Sequence, residues 1–353
     1  MAQIGWIDPA DGKKRTFEEA LAEAEAYGSW NGWPFEVLVG IHQQSQGHDR
    51  PTGISVTQLL GCARKNHLER LHEFYGTVES NYAAFRGVIA HSMLEKFKAE
   101  HTVVERRFWR TYRGIPISGQ MDYVGLTVEG IMDSGPFLNE WLDWCDRMAD
   151  MERPVEDGGA GPCDDCRFFT EDPRPEYNTR SCQKHTQPEI PRGAKFLIRD
   201  WKSKDELPTF TYVAQQYQKQ GNLYRWLLRI PAKKADIEFV FVSMKGVRLM
   251  KLFSGGVFSN GRTKPNQIWS DAEAQLFLDD RLVTLAASQK LDRPLPYDKV
   301  PEDDLWACAN WCPAKELCYK LAAKEQLAAF KKNEAPDRVV PREPEKKKGR
   351  KRS

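Results

Sequence analysis

Asp200 and Lys202 lie two residues apart in the run Phe196-Leu-Ile-Arg-Asp-Trp-Lys202, whose apolar start reads as a strand. Side chains alternate along a strand, so the acid and the lysine share one face and Trp201 takes the other. That pairing suits phosphodiester hydrolysis. The carboxylate can hold Mg²⁺ or Mn²⁺, while the ammonium orients a water and offsets charge developing on phosphate. Alone the tripeptide says little, because a solvated strand edge has the same pattern. Its companions add weight. Ser118-Gly119-Gln120-Met121-Asp122 puts a second acid on a neighbouring predicted strand, behind a glycine that permits close backbone approach. Mg²⁺ takes one or two carboxylates together with substrate oxygens and waters. Gly87, His91 and Glu95 recur four residues apart and fall on one stripe of a helix. His91 could add a nitrogen ligand that favours Mn²⁺, or be a packed core residue. Gln220 and Tyr224 stand one helical turn apart, suited to touching DNA or bracing Lys202, and equally to ordinary helix surface.

Two groups of cysteines have ligand spacing. Cys163-Asp-Asp-Cys166 and Cys182-Gln-Lys-His185 make a C-x₂-C-x₁₅-C-x₂-H pattern. It matches tetrahedral zinc, which would give a core-poor segment something to fold around. Cys308, Cys312 and Cys318 crowd into eleven residues, and Cys62 far upstream could complete a set of four thiolates. Such a set holds a [4Fe–4S] cluster or a structural Zn²⁺, and spacing alone does not separate the two. Cys145, near Trp141 and Trp144, reads as a buried helix residue rather than a ligand.

The elements that must position these residues follow from pattern. Thr16 and Glu19 form a capping box for a helix running to Tyr27 and Gly28. Residues 29–50 read as a strand and loops. Ser55 or Thr57 can cap the next helix, with Leu59, Leu60, Leu68 and Leu71 among its apolar positions. A helix over 81–99 repeats Phe85, Ile89, Met93 and Phe97 every fourth residue. Strands at 103–112 and 115–126 flank the turn Arg113-Gly114, and a helix covers 136–151. Residues 153–194, dense in Gly, Pro, Asp and Cys, read as inserted. After the 196–202 strand come a helix over 209–229, strands at 236–244 and 247–253, and a helix over 270–290. A Pro-rich connection at 291–301 leads to a final helix ending near Lys332.

The chain has 353 residues, 41% hydrophobic and 29% charged, enough for an ordered protein with a large core. Its net charge is +2, yet residues 346–352 carry six positive charges in seven positions. Setting those six aside leaves 46 basic residues against 50 acids, so the body sits near −4 and the basic charge is concentrated in the tail. Such a tail grips phosphate backbones non-specifically, or simply solubilises. No signal-peptide core and no bilayer-length apolar run is present, so a cytoplasmic protein away from membranes is expected. There, eight cysteines favour metal binding over disulfides.

Taken in order, Arg86-Gly-Val-Ile-Ala-His91, Gly119-Gln-Met-Asp122, Asp200-Trp-Lys202 and Gln220-x-x-x-Tyr224 resemble the motif series of RecB-like nucleases in the PD-(D/E)xK superfamily. The resemblance implies an α/β fold: a restriction-endonuclease-like core with a helical periphery and a cysteine-rich insertion. It implies His91, Asp122 and Asp200 as metal ligands, joined by the Trp201 carbonyl, with Lys202 catalytic and Gln220 and Tyr224 supporting. One early cysteine plus three late ones resembles the iron–sulfur subgroup, which includes CRISPR-adaptation exonucleases and the AddB nuclease domain. That implies a [4Fe–4S] cluster on Cys62, Cys308, Cys312 and Cys318, stapling the two ends of the nuclease domain together. The expected organisation is an N-terminal extension (1–50), a nuclease domain (51–332) with a zinc-finger-like insertion (133–194), and a disordered basic tail (333–353).

The expected activity is hydrolysis of DNA, exonucleolytic and from single-stranded ends, in recombination, repair or processing. The chain could be bacterial or phage-encoded and could work beside a helicase or recombination protein. Three features depart from the family pattern. Asp200 stands where many relatives carry Glu, 78 positions separate Asp122 from Asp200 where a short hairpin is expected, and Cys308 and Cys312 are one residue further apart than usual. The rival reading is a non-catalytic DNA-binding or assembly module organised by iron–sulfur and zinc sites. An iron–sulfur redox enzyme is disfavoured by the lack of a glycine-rich nucleotide fingerprint.

Overall fold

The computed structural model describes residues 3–45, 53–63, 65–66, 68, 74–94, 96, 102–127, 135–152, 187–204, 207–209, 213–243, 245–254 and 267–290, together with Cys312 and Cys318. Two hydrophobic cores organise these residues.

The smaller core is N-terminal. Strands β1 (Gln3–Ile7) and β2 (Lys14–Thr16) lead into helix α1 (Phe17–Tyr27). As expected, Thr16 Oγ1 accepts from Glu19 N at 3.2 Å and Glu19 Oε2 accepts from Thr16 N at 2.8 Å. Gly28 ends the helix at φ 77°, a left-handed cap that suits a residue without Cβ. The described part of residues 29–50, which is 29–45, departs from the expected strand and loops. Among these described residues β3 (Ser29–Trp30) and β4 (Trp33–Pro34) are extended, and helix α2 (Phe35–Ser45) follows. Leu38 and Ile41, three apart, turn inward with Trp6 and Trp30, so helical spacing wins over the local Trp and Gly content.

Strand β5 (Ile54–Ser55) precedes α3 (Val56–Leu60), and Ser55 is its cap, forming a capping box with Gln58. This helix stops at Gly61, and Ala63, Lys65, Asn66 and the buried Leu68 are helical again, so the leucine pattern runs across a break. Strand β6 (Phe74–Gly76) returns to pair with β1, and α4 (Val78–Leu94) then runs from the small core towards the large one. Val78 is buried in the small core and Phe85 rests against Gly40 of α2. Ile89, expected in the same buried stripe, is instead 43% exposed.

The main sheet holds β7 (Thr102–Tyr112), β8 (Ile115–Thr127), β9 (Lys195–Ser203), β10 (Ala235–Ser243), β11 (Gly246–Ser254) and β12 (Gln267–Ile268), with β5 at its far edge. The β7–β8 hairpin turns through Arg113 and Gly114, at φ 50° and 76°, the positive values a two-residue turn of this hand requires. Strands β8 and β9 pair antiparallel, while β9 and β10 pair parallel. A parallel pair needs a crossover, and helix α6 supplies it. This helix (Gln215–Leu227) begins later than the expected 209, since Pro208 is held in a loop by a hydrogen bond from Arg248.

Helix α5 (Gly135–Glu152) packs Leu138, Trp141 and Leu142 against the same face of the sheet as α6. Helix α7 (Asp271–Lys290) closes the core with Ala274, Leu278 and Leu282. Two glycines set how close α6 comes. A Cβ on Gly119 of β8 would lie 2.8 Å from Leu227 and 2.9 Å from Tyr224, and one on Gly221 would lie 2.6 Å from Ile237.

Candidate active site

Asp122 and Asp200 come together because of where two strands part. The β8–β9 ladder descends through Gly125↔Leu197 and Val124↔Ile198 to Tyr123↔Arg199, and the next facing residues are the two acids. There the ladder stops. Asp122 Oδ2 instead accepts the Trp201 N–H at 2.6 Å, so a carboxylate takes the hydrogen bond a continuing strand would have made. Across β8, Glu105 interrupts the pairing of β7 with β8. It holds φ 53° and is skipped between Val104↔Tyr123 and Arg106↔Met121. Glu105 Oε2 accepts from Gln120 Nε2 at 2.7 Å.

Alternation along β9 puts Phe196, Ile198, Asp200 and Lys202 on one face. The first two sit in the core, Phe196 4.8 Å from the Trp141 ring. The last two emerge beside α6. Asp200 is 2% exposed and Asp122 7%. Lys202 Nζ meets Asp200 Oδ2 at 2.6 Å. From α6, Gln220 Nε2 approaches Asp200 Oδ1 at 3.3 Å and donates to Tyr224 Oη at 2.7 Å. The helical turn between Gln220 and Tyr224 thus braces Asp200 rather than Lys202.

Burial by itself pushes the Lys202 ammonium down, but the adjacent Asp200 and then Asp122 outweigh it and hold its pKa above the ordinary 10.5. Burial, then the charge of Asp200, raise the Tyr224 hydroxyl well above its ordinary 10.0. Both groups therefore keep their protons at neutral pH. Lys202 is built to donate hydrogen bonds and positive charge, not to accept a proton.

Two buried carboxylates lie here beside one ammonium and one amide, and their oxygens are the hard donors of the site. That fits a hard divalent cation, which needs one or two carboxylates and completes its shell with substrate and water. Among the described residues, no group of three or more His, Cys, Asp or Glu is placed to hold a metal ion. His91 lies on α4, which packs along β9, but its side chain is outside what is described, as is Glu95.

The expected zinc ligands Cys163, Cys166, Cys182 and His185 also lie outside the described residues, as does Cys308. Cys62, half-buried, follows α3; Cys312 is half-buried and Cys318 buried. The carbonyls on the approach to Cys62 are gripped by Arg281 of α7, which donates to Leu59 O at 2.6 Å and Gly61 O at 2.5 Å. Cys145 is a core residue, as expected. Its Sγ contacts Leu228 O at 3.2 Å and burial pushes its thiol up to about 12.

Sequence reading missed Glu105, whose left-handed backbone nothing in its residue type announces. It also missed Tyr217, which lies under Lys202 with the ammonium 5.2 Å from its ring centroid. A tyrosine one turn before Gln220 was the available signal.

No family model matches the chain, and no curated protein does. Among solved structures, one described as "Crystal structure of SSO0001" shares 13% identity with a TM-score of 0.41, over 82% of this chain and 96% of that one. That likeness is too slight to bear on fold or function. The chain is a mixed α/β protein by its own elements. No helix among the described residues is long and apolar enough to cross a membrane.

The raised pKa of Lys202 sets a pH expectation. A lysine whose folded pKa exceeds its unfolded value stabilises fully below the unfolded value and loses that contribution as pH rises through the folded one. The difference in unfolding free energy between wild type and Lys202→Met should therefore hold constant from neutral pH to 10.5 and shrink only above it. A difference that already fades near neutrality would mean that Asp200 and Asp122 do not hold the ammonium.

Proposed function

We propose that this chain is a divalent-metal-dependent deoxyribonuclease with a restriction-endonuclease-like PD-(D/E)xK core, acting on DNA with single-stranded ends. The observation that carries the reading is the meeting of Asp122, Asp200 and Lys202 at the parting of two strands, with Gln220 and Tyr224 behind Asp200.

Asp122 and Asp200 would hold Mg²⁺ or Mn²⁺, with His91 and the Trp201 carbonyl as further ligands. The ion supplies Lewis-acid polarisation of a phosphate oxygen. Lys202, kept protonated, would orient the attacking water and offset charge on the phosphate as the bond breaks. Gln220 fixes the Asp200 carboxylate, and the buried Tyr224 hydroxyl in turn fixes Gln220. Preorganised partners of this kind spare the site reorganisation during reaction.

End-labelled single-stranded DNA with Mn²⁺ tests the reading. Wild type should cut, while Lys202→Ala and Asp200→Asn should each lose roughly 10²–10³-fold or more in kcat with DNA binding kept. Near-normal turnover in either variant would contradict it, and so would a wild type that fails on single-stranded, duplex and flapped DNA alike.

Cys62, Cys308, Cys312 and Cys318 are proposed to hold a [4Fe–4S] cluster, and Cys163, Cys166, Cys182 and His185 a structural Zn²⁺. Protein purified without oxygen should carry iron, acid-labile sulfide and zinc. Cys62→Ala should lose the iron and keep the zinc, whereas zinc with no iron in the wild type would overturn the cluster.

A further inference from the structure

Beyond Ser203, the chain continues the β9–β10 ladder for one more step, since Lys204 N donates to Val242 O at 2.9 Å. Alternation therefore puts Lys204 on the same face as Asp200 and Lys202, about 6.6 Å further along the strand. The two lysines converge on one ring. Lys202 Nζ is 5.2 Å and Lys204 Nζ 5.7 Å from the Tyr217 centroid. Tyr217 itself packs against Phe239 and Phe241, with ring centroids 5.8 and 5.6 Å away. The resemblance between the two lysines ends there. Lys202 is spent on Asp200, whereas Lys204 is exposed and has no carboxylate partner among the described residues. The acids Asp205 and Glu206 follow it in sequence and lie outside those residues.

A second cation on the same face, with no carboxylate partner among the described residues, is not needed to balance the two acids. It is placed to meet an anion arriving next to them. The ring below can hold both ammoniums in place by cation–π attraction. We infer that Lys204, seated on Tyr217, binds the backbone phosphate adjacent to the one lying over Asp122 and Asp200, on a single strand of DNA. This rests on the proposed function for the identity of the strand. It adds which residue fixes that strand's position.

A phosphate contact has a signature that a structural lysine lacks. Each one neutralised on a single strand contributes about −0.7 to the slope of log affinity against log salt. The measurement is fluorescence anisotropy of a labelled oligo-dT on the full chain, with no divalent metal added, across a KCl series. Lys204→Ala should bind more weakly and with a slope shallower by about 0.7. Lys204→Arg should restore the wild-type slope. Lys233→Ala, an exposed lysine just before β10 and so at the opposite end of the strands, should match wild type throughout.

A Lys204→Ala slope equal to wild type would overturn the inference. So would an equal loss in Lys233→Ala, or a wild type that does not bind the oligonucleotide. If the slopes behave as expected but the wild type cuts no DNA with Mn²⁺, the nuclease reading fails while the strand-binding site stands.

Discussion

Two carboxylates buried side by side are the constraint around which this structure is arranged. Like charges taken from water repel and lose hydration together, so each needs compensation built into the fold. Asp122 is met by the Trp201 N–H, and Asp200 by the Lys202 ammonium and the Gln220 amide. Each partner comes from a different structural commitment. The amide is exposed to Asp122 because the β8–β9 ladder ends one step earlier. The ammonium reaches Asp200 through strand alternation, and Gln220 through the crossover helix that a parallel pair demands.

That helix must lie close, and the sequence around it is shaped accordingly. Gly119 and Gly221 remove the Cβ atoms that would hold α6 away from β8 and β10. Its far end is tied down by arginines. Arg110 donates to Trp226 O at 2.8 Å while stacking 4.3 Å from the Trp226 ring, Arg225 pairs with Asp271 at 2.8 Å, and Arg229 pairs with Glu152 at 2.6 Å. Asn222, fully buried, bonds Gln267 O at 2.9 Å and Trp269 N at 2.6 Å, fixing the start of α7 to the same helix. Gln220 therefore projects from a helix with little freedom to shift, which is what a site with two buried acids requires.

The acids and the lysine were legible because their signal is local. Alternation over three residues puts Asp200 beside Lys202, and one helical turn puts Gln220 beside Tyr224. Side-chain periodicity needs no tertiary information. What stayed hidden depends on the whole fold. Nothing in Asp122 says that its partner is a backbone N–H from another strand, and nothing in Glu105 says that it takes a left-handed backbone. Ile89 fits a buried stripe by spacing, yet it is exposed, because spacing does not say which neighbours cover a helix face. The Arg281 grip on the Cys62 loop joins residues 222 and 220 positions apart, beyond the reach of any pattern.

The central claim is that Asp122 and Asp200 form one divalent-cation site, and Mn²⁺ binding followed by electron paramagnetic resonance tests it most directly. Asp122→Asn and Asp200→Asn should each abolish a bound Mn²⁺ that the wild type retains. Glu238→Gln, which alters a buried acid on the opposite face paired with Arg199 and Lys251, should leave that Mn²⁺ in place. Equal Mn²⁺ binding in wild type and both aspartate variants would contradict the account, and the two acids would then be a structural pair alone.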